Sequence, residues 1–161
     1  SFTKRFIGAT NHADYVTLAD WMQDTGAMAS DELVLQMDIE GAEYAALLAT
    51  PEHVLQKFRI IIIELHNLQA LANRPFFEIF SEFTTKLLKN HAVVHLHPNN
   101  NDRPVIIRGV RVNPVLEVTL LRKDRLGAPE QGLLPSLPNP LDRRNNPSRM
   151  DVDLSPNWYQ I

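Results

Sequence analysis

The apolar run Leu33-Val34-Leu35-Gln36-Met37 passes directly into Asp38-Ile39-Glu40-Gly41-Ala42-Glu43, which places three carboxylates around a glycine at the end of a strand. Tyr44, Leu47 and Leu48 then recur at helical spacing. Strand, acidic turn and helix make a β-α unit, and the near-continuous apolar character of Leu33–Met37 predicts a strand covered on both faces. Two more strand-like runs end in polar clusters: Arg59 to Leu65 leads into His66-Asn67, and Ala92 to Leu96 leads into His97-Pro98-Asn99-Asn100. In open α/β sheets ligands sit outside the carboxyl ends of the strands. Three polar clusters at three such ends therefore point to one shared site, and to an enzyme.

Other elements follow from where the period changes. Thr17 and Asp20 have capping-box spacing ahead of a short helix through Met22, and Asp24-Thr25-Gly26 reads as its stop. Thr50-Pro51-Glu52 reads as the cap of another short helix to about Lys57. Phe76, Phe80, Phe83 and Leu87 form an apolar stripe after Asn73-Arg74-Pro75, with Glu78, Glu82, Lys86 and Lys89 on the wet face and Asn90 as the stop. The β-branched runs Ala92–His97, Val105–Val110 and Val115–Arg122 are joined by turns too short for a crossover helix, so they are expected to pair partly antiparallel. Six of the eleven prolines lie between Pro129 and Pro156. This composition divides the chain into an α/β domain over residues 1–123 and a Pro-rich segment over 124–161. That segment is expected to dock by Leu133, Leu134, Leu137 or Trp158-Tyr159, or to stay disordered.

Composition narrows the function classes. A length of 161 residues fits one domain, and a net charge of -3 with a pI near 6.0 lacks the basic excess of a nucleic-acid binder. The absence of cysteine removes thiolate metal sites and fits a reducing compartment, so cytoplasm is the default expectation. The longest unbroken apolar run, Ile60 to Ile63, falls far short of a membrane span, so no membrane partner is expected.

The turn Asp38 to Glu43 with its flanking apolar strand and Tyr44-Leu47 resembles the FkbM-type methyltransferases. Thr17-Leu18-Ala19-Asp20 resembles the family's helix start, Ile63-Glu64-Leu65-His66 sits where its next strand ends, and His95 to Asn100 followed by Val115 to Thr119 is similar to the end of one branch. Gln36 stands where the family often carries lysine. The resemblance implies a Rossmann-like methyltransferase sheet that uses S-adenosyl-L-methionine. The six glycines, at 8, 26, 41, 109, 127 and 132, form no donor loop. The expected architecture is thus the carboxyl-terminal portion of that domain, with parallel strands and an antiparallel edge hairpin. Leu33–Met37 would then be an apolar edge open to a second copy or to the missing amino-terminal half.

Each candidate residue has a functional and a structural reading. Asp38, Glu64 and His66 are the catalytic candidates, with His66 the group whose ordinary pKa lies nearest neutrality. Asp38 and Ile39 are the donor-contacting candidates, and Asp38 equally fits a turn cap. Glu40 and Glu43 fit substrate contact or helix N-terminal carboxylates. His97, Asn99 and Asn100 are substrate-binding candidates, though Asn99 and Asn100 are also turn formers. His95 and His97 share a face at a spacing compatible with metal ligation and with ordinary strand packing. The expected reaction is methyl transfer to a small-molecule hydroxyl, such as that of a sugar or polyketide-like acceptor. The rival readings are a metal-dependent hydrolase using Asp38, Glu64, His66 and His97, and a non-catalytic scaffold.

Overall fold

The computed structural model describes residues 4–127 and 137–159. Its centre is a four-stranded mixed sheet in the order β3-β4-β8-β5, formed by Leu33–Met37, Phe58–Leu65, Leu116–Arg122 and His91–Pro98. Strands β3 and β4 run parallel, while β8 lies antiparallel to both of its neighbours. The carboxyl ends of β3, β4 and β5 therefore emerge at one end of the sheet. A short parallel pair, β1 (Phe6–Gly8) and β2 (Tyr15–Thr17), precedes it.

Helices α1 (Leu18–Asp24), α2 (Glu43–Ala49), α3 (Glu52–Leu55) and α4 (Arg74–Asn90) contribute to one hydrophobic core with the sheet. The expected Thr17 cap forms: its hydroxyl oxygen accepts from the Asp20 backbone N–H, and the helix continues to Asp24. Thr50 does not cap α3, because its hydroxyl instead donates back to the Ala46 carbonyl at the end of α2. The stripe on α4 faces the core, where Phe83 and Leu87 are buried with Tyr44, Leu47, Ile61 and Ile63. No helix among the described residues is long and apolar enough to cross a membrane.

Two expectations about the sheet change. The second face of β3 is open rather than covered, with Val34 58% exposed and Gln36 exposed beside it. The helices pack only on the face that carries Leu35 and Met37, so an apolar residue on the other face remains in solvent. The expected antiparallel pair does form the sheet edge, as β8 and β5, with β8 inside the sheet and β5 outermost. The segment Val105–Val110, however, is not one strand. It folds into β6 (Val105–Ile107) and β7 (Val110–Val112) around Arg108 and Gly109, both at positive φ, as a tight right-twisted hairpin turn demands.

Residues 137–159 cross the second face of the sheet without regular strands. Residues paired across strands share a face, so His95 and Thr119, and His97 and Glu117, lie side by side there. Asp142 Oδ1 accepts from His95 Nε2 at 2.8 Å, Asn145 donates to Glu117 Oε1 at 2.6 Å, and Asp151 lies 3.9 Å from His97. Leu154 is buried in the core, and Trp158 donates from Nε1 to the Arg111 carbonyl at 3.1 Å. Docking thus runs through Leu137, Leu154, Trp158 and Tyr159, whereas Leu133 and Leu134 lie outside the described residues.

Leu154→Ala should lower unfolding free energy by about 2 kcal/mol, the lower end for a buried leucine truncation, because the site lies near the surface. Urea denaturation measures it, and an unchanged midpoint would show that the segment is not part of the cooperative unit. A second expectation concerns His91, which is buried at the start of β5 with Nε2 2.9 Å from the Phe58 carbonyl. Burial holds its pKa below the ordinary 6.5. The unfolded chain therefore takes up the proton first, so this contribution is present above pH 6.5 and is lost as pH falls through the depressed folded value. Urea midpoints measured from pH 7 to 5 should fall less steeply for His91→Gln than for the parent.

Candidate active site

The site begins with an unusual backbone. Glu40 and Gly41 follow the end of β3 with φ of 56° and 101°, and Asn67 just beyond β4 has φ of 62°. These turns press together: a Cβ built on Gly41 would lie 2.7 Å from Asn67 Nδ2. Glycine is favoured at that position by its torsion, and any larger residue would also have to displace the end of the Asn67 side chain.

Two residues in the first turn of α2 then fix His66. The Tyr44 hydroxyl donates to the His66 backbone carbonyl at 2.6 Å, and Glu43 Oε1 lies 3.1 Å from His66 Nδ1 while also accepting from the Ile39 N–H at 3.0 Å. Burial, and secondarily the neighbouring Glu43 charge, pushes the Tyr44 phenol well above its ordinary pKa, so it stays a hydrogen-bond donor. With Glu43 as acceptor, the tautomer assigned to neutral His66 carries its proton on Nδ1 and leaves Nε2 as the acceptor edge.

That edge faces a ring of carboxylates. Nε2 lies 3.8 Å from Asp38 Oδ1, 3.4 Å from Glu40 Oε2 and 3.6 Å from Glu64 Oε2. The carboxyl end of β5 joins the same cluster, because Asn99 donates from Nδ2 to Glu64 Oε1 at 2.7 Å. Burial raises the Glu64 pKa; the Asn99 hydrogen bond opposes this and the Asp38 charge reinforces it. Asp38, Glu40, Glu43, Glu64, His66 and Asn99 thus come together, from three strand ends, as the polar clusters in the sequence imply.

Three of the predicted substrate contacts lie elsewhere in function or space. Glu43 is wholly buried and presents no surface to a substrate, so its place is behind His66. Asn100 is also buried. It exchanges two hydrogen bonds with the Asn146 backbone, donating to the carbonyl at 2.9 Å and accepting from the N–H at 2.7 Å, which makes it an anchor for the carboxyl-terminal segment. His97 is buried between Glu117 and Asp151, at 3.7 and 3.9 Å, rather than in the His66 ring. It does not pair with His95, whose ring contacts Asp142. Tyr44 is the site residue that sequence reasoning treated only as core. Its hydroxyl was the available signal, since a buried tyrosine usually finds a partner for it.

Residues 13–92 match the family model of the methyltransferase FkbM domain. This segment belongs to the FkbM methyltransferase family. The match takes in β2 through β4 and α4, and it includes Asp38, Glu64 and His66; Asn99 lies beyond it. It supports methyltransferase activity for the chain. No curated protein and no solved structure matches the chain.

Gly41→Ala should destabilise the protein by roughly 1–3 kcal/mol, the usual cost of forcing a side chain into a disfavoured torsion, with the Asn67 contact adding to it. Chemical denaturation checks this. A variant as stable as the parent would mean that the two turns move apart freely and do not fix the site.

Proposed function

We propose that the FkbM domain transfers a methyl group from S-adenosyl-L-methionine to the hydroxyl oxygen of a small-molecule acceptor. The observation that carries this reading is the convergence of Asp38, Glu64 and His66 Nε2 at the carboxyl ends of two parallel strands. The strand order supports a Rossmann-like methyltransferase sheet, because an antiparallel last strand lies between β4 and β5 while β3 and β4 run parallel.

The residues beside β3 suit such a donor. A cleft of about 680 Å³ runs along this edge, lined by apolar Leu18 and Met37, aromatic Trp21, the carboxylates of Asp24 and Asp38, and one guanidinium, that of Arg5. Apolar and aromatic walls with carboxylates at the rim complement a ligand that joins an aromatic base to positive charge. Among the described residues no glycine cluster forms a donor loop, so within this chain donor contact rests chiefly on Asp38 and Ile39. Bound there, the donor supplies an electrophilic methyl carbon.

The chain's own contribution is placement and proton acceptance. Holding an acceptor oxygen in line with the methyl carbon is worth on the order of 7–11 kcal/mol, whereas a general base adds roughly 10²- to 10⁴-fold. Asp38, Glu64 and His66 form the group that receives the acceptor hydroxyl, with Glu40 at its exposed rim and Asn99 fixing Glu64. Glu43 and Tyr44 act through His66 and do not touch the acceptor. The α/β unit ends near residue 123, and residues 124–161 form its accessory segment. The cytoplasm is the proposed compartment. A second copy of the chain, or a further amino-terminal segment, is the proposed partner for the edge of β3.

Asp38→Asn and His66→Ala should each lower methyl transfer at least a hundredfold, within the roughly 10²- to 10⁴-fold range of a lost acid-base group, with a smaller effect on stability. Transfer of a labelled methyl group, measured beside urea unfolding, tests both. Parental rates in both variants would reduce the cluster to caps and turns.

A further inference from the structure

Four carboxylates surround one imidazole at this site, and no lysine or arginine among the described residues forms an ion pair with any of them. Glu43 occupies Nδ1 of His66, so Nε2 is the edge turned toward Asp38, Glu40 and Glu64. Its separations of 3.8, 3.4 and 3.6 Å all exceed the roughly 2.7–2.9 Å of a charge-assisted N–H···O bond. A hydrogen bond therefore does not close this gap. One donor atom each from Asp38, Glu64 and His66 lies within 4.8 Å of the others, a spread that one ion bonded at roughly 2.0–2.6 Å can bridge.

Glu43 adds a separate observation. Its side chain is wholly buried: Oε1 meets His66 Nδ1 and the Ile39 N–H, while Oε2 has no hydrogen-bond partner among the described residues. A buried carboxylate with an unanswered oxygen is costly unless positive charge lies close by. A cation on the far side of the imidazole provides that charge, and carboxylate, histidine and metal then stand in the order that fixes ring orientation and raises ligand basicity.

We infer that Asp38, Glu64 and Nε2 of His66 form a divalent-cation site, with Glu43 as the positioning residue behind the histidine and Glu40 at the rim. Two carboxylates and one imidazole, with no thiolate, select an oxygen-preferring ion that accepts one nitrogen, and Mn²⁺ fits that description. The inference rests on the methyl-transfer reading and changes one role in it: with Nε2 committed to the ion, the imidazole no longer takes the acceptor's proton, and the ion lowers the pKa of an oxygen bound to it instead. The cation is not the donor, and its binding is measured without donor or acceptor present.

The test is titration of the 161-residue chain with Mn²⁺, following the free ion by electron paramagnetic resonance and the bound ion by pulsed measurements of nitrogen coupling. One ion should bind per chain, with a ¹⁴N coupling from the imidazole. Asp38→Asn and Glu64→Gln should each weaken binding at least about tenfold, and Glu43→Gln by about 10- to 100-fold while the nitrogen coupling persists. Failure of the parent chain to bind Mn²⁺ at millimolar concentration, or a bound ion without nitrogen coupling, would overturn the inference even if every variant failed to fold. Methyl transfer is assayed separately, in chelator and after Mn²⁺ is restored. A nitrogen-coupled ion supports the cation site whether or not this chain alone transfers a methyl group. Full transfer in chelator by a chain that binds no Mn²⁺ sinks the cation site and supports the transferase reading.

Discussion

The first turn of α2 holds the segment after β4 at two points, the His66 carbonyl through Tyr44 and the His66 ring through Glu43, and the geometry of the site depends on that hold. Tyr44 belongs to the packed core, with its ring 5.2 Å from Phe76 and 5.0 Å from Phe83, so the orientation of His66 is tied to helix packing on α4. Glu43 makes the tie directional. Its oxygen bridges the Ile39 N–H and the imidazole, joining the turn after β3 to the turn after β4. Gly41 against Asn67 lets the two turns approach closely enough for this to occur.

Much of the frame was legible because the rules that set it are local. The Thr17–Asp20 cap, the strand Leu33–Met37 and the stripe on α4 each depend on residues within a turn or two, and each lies where spacing placed it. The grouping of Asp38, Glu64 and His66 was legible for a different reason: parallel strands bring their carboxyl ends together whatever the intervening chain does. The roles of Glu43, Asn100 and His97 were not legible. Burial decides the first, and contacts with a segment some fifty residues onward decide the other two. The Arg108-Gly109 turn was missed because a continuous apolar reading of Val105–Val110 outweighed a single glycine.

The carboxyl-terminal segment gives the sheet a second cover made largely of polar contacts. Asp142, Asn145, Asn146 and Asp151 meet His95, Glu117, Asn100 and His97 along the outer half of the sheet, while Val34 and Ile62 near β3 stay exposed. A prolyl chain is well suited to this arrangement, since it cannot extend the sheet as a ladder and contributes through side chains at intervals. The segment also borders the site: Glu117, which it grips, is the register partner of Glu64.

The position of β8 has a consequence for the order of events during synthesis. Among the described residues β5 pairs only with β8, and β8 is the last of the four to leave the ribosome. A chain released only as far as Pro98 can form the β3-β4 pair and pack its helices, but β5 has no strand to join. The sheet closes in one late step, when Leu116–Arg122 inserts between two strands made earlier, and such non-local pairing is slow compared with helix formation. The half-made protein is therefore most exposed to misassociation in the interval between translation of Pro98 and of Arg122.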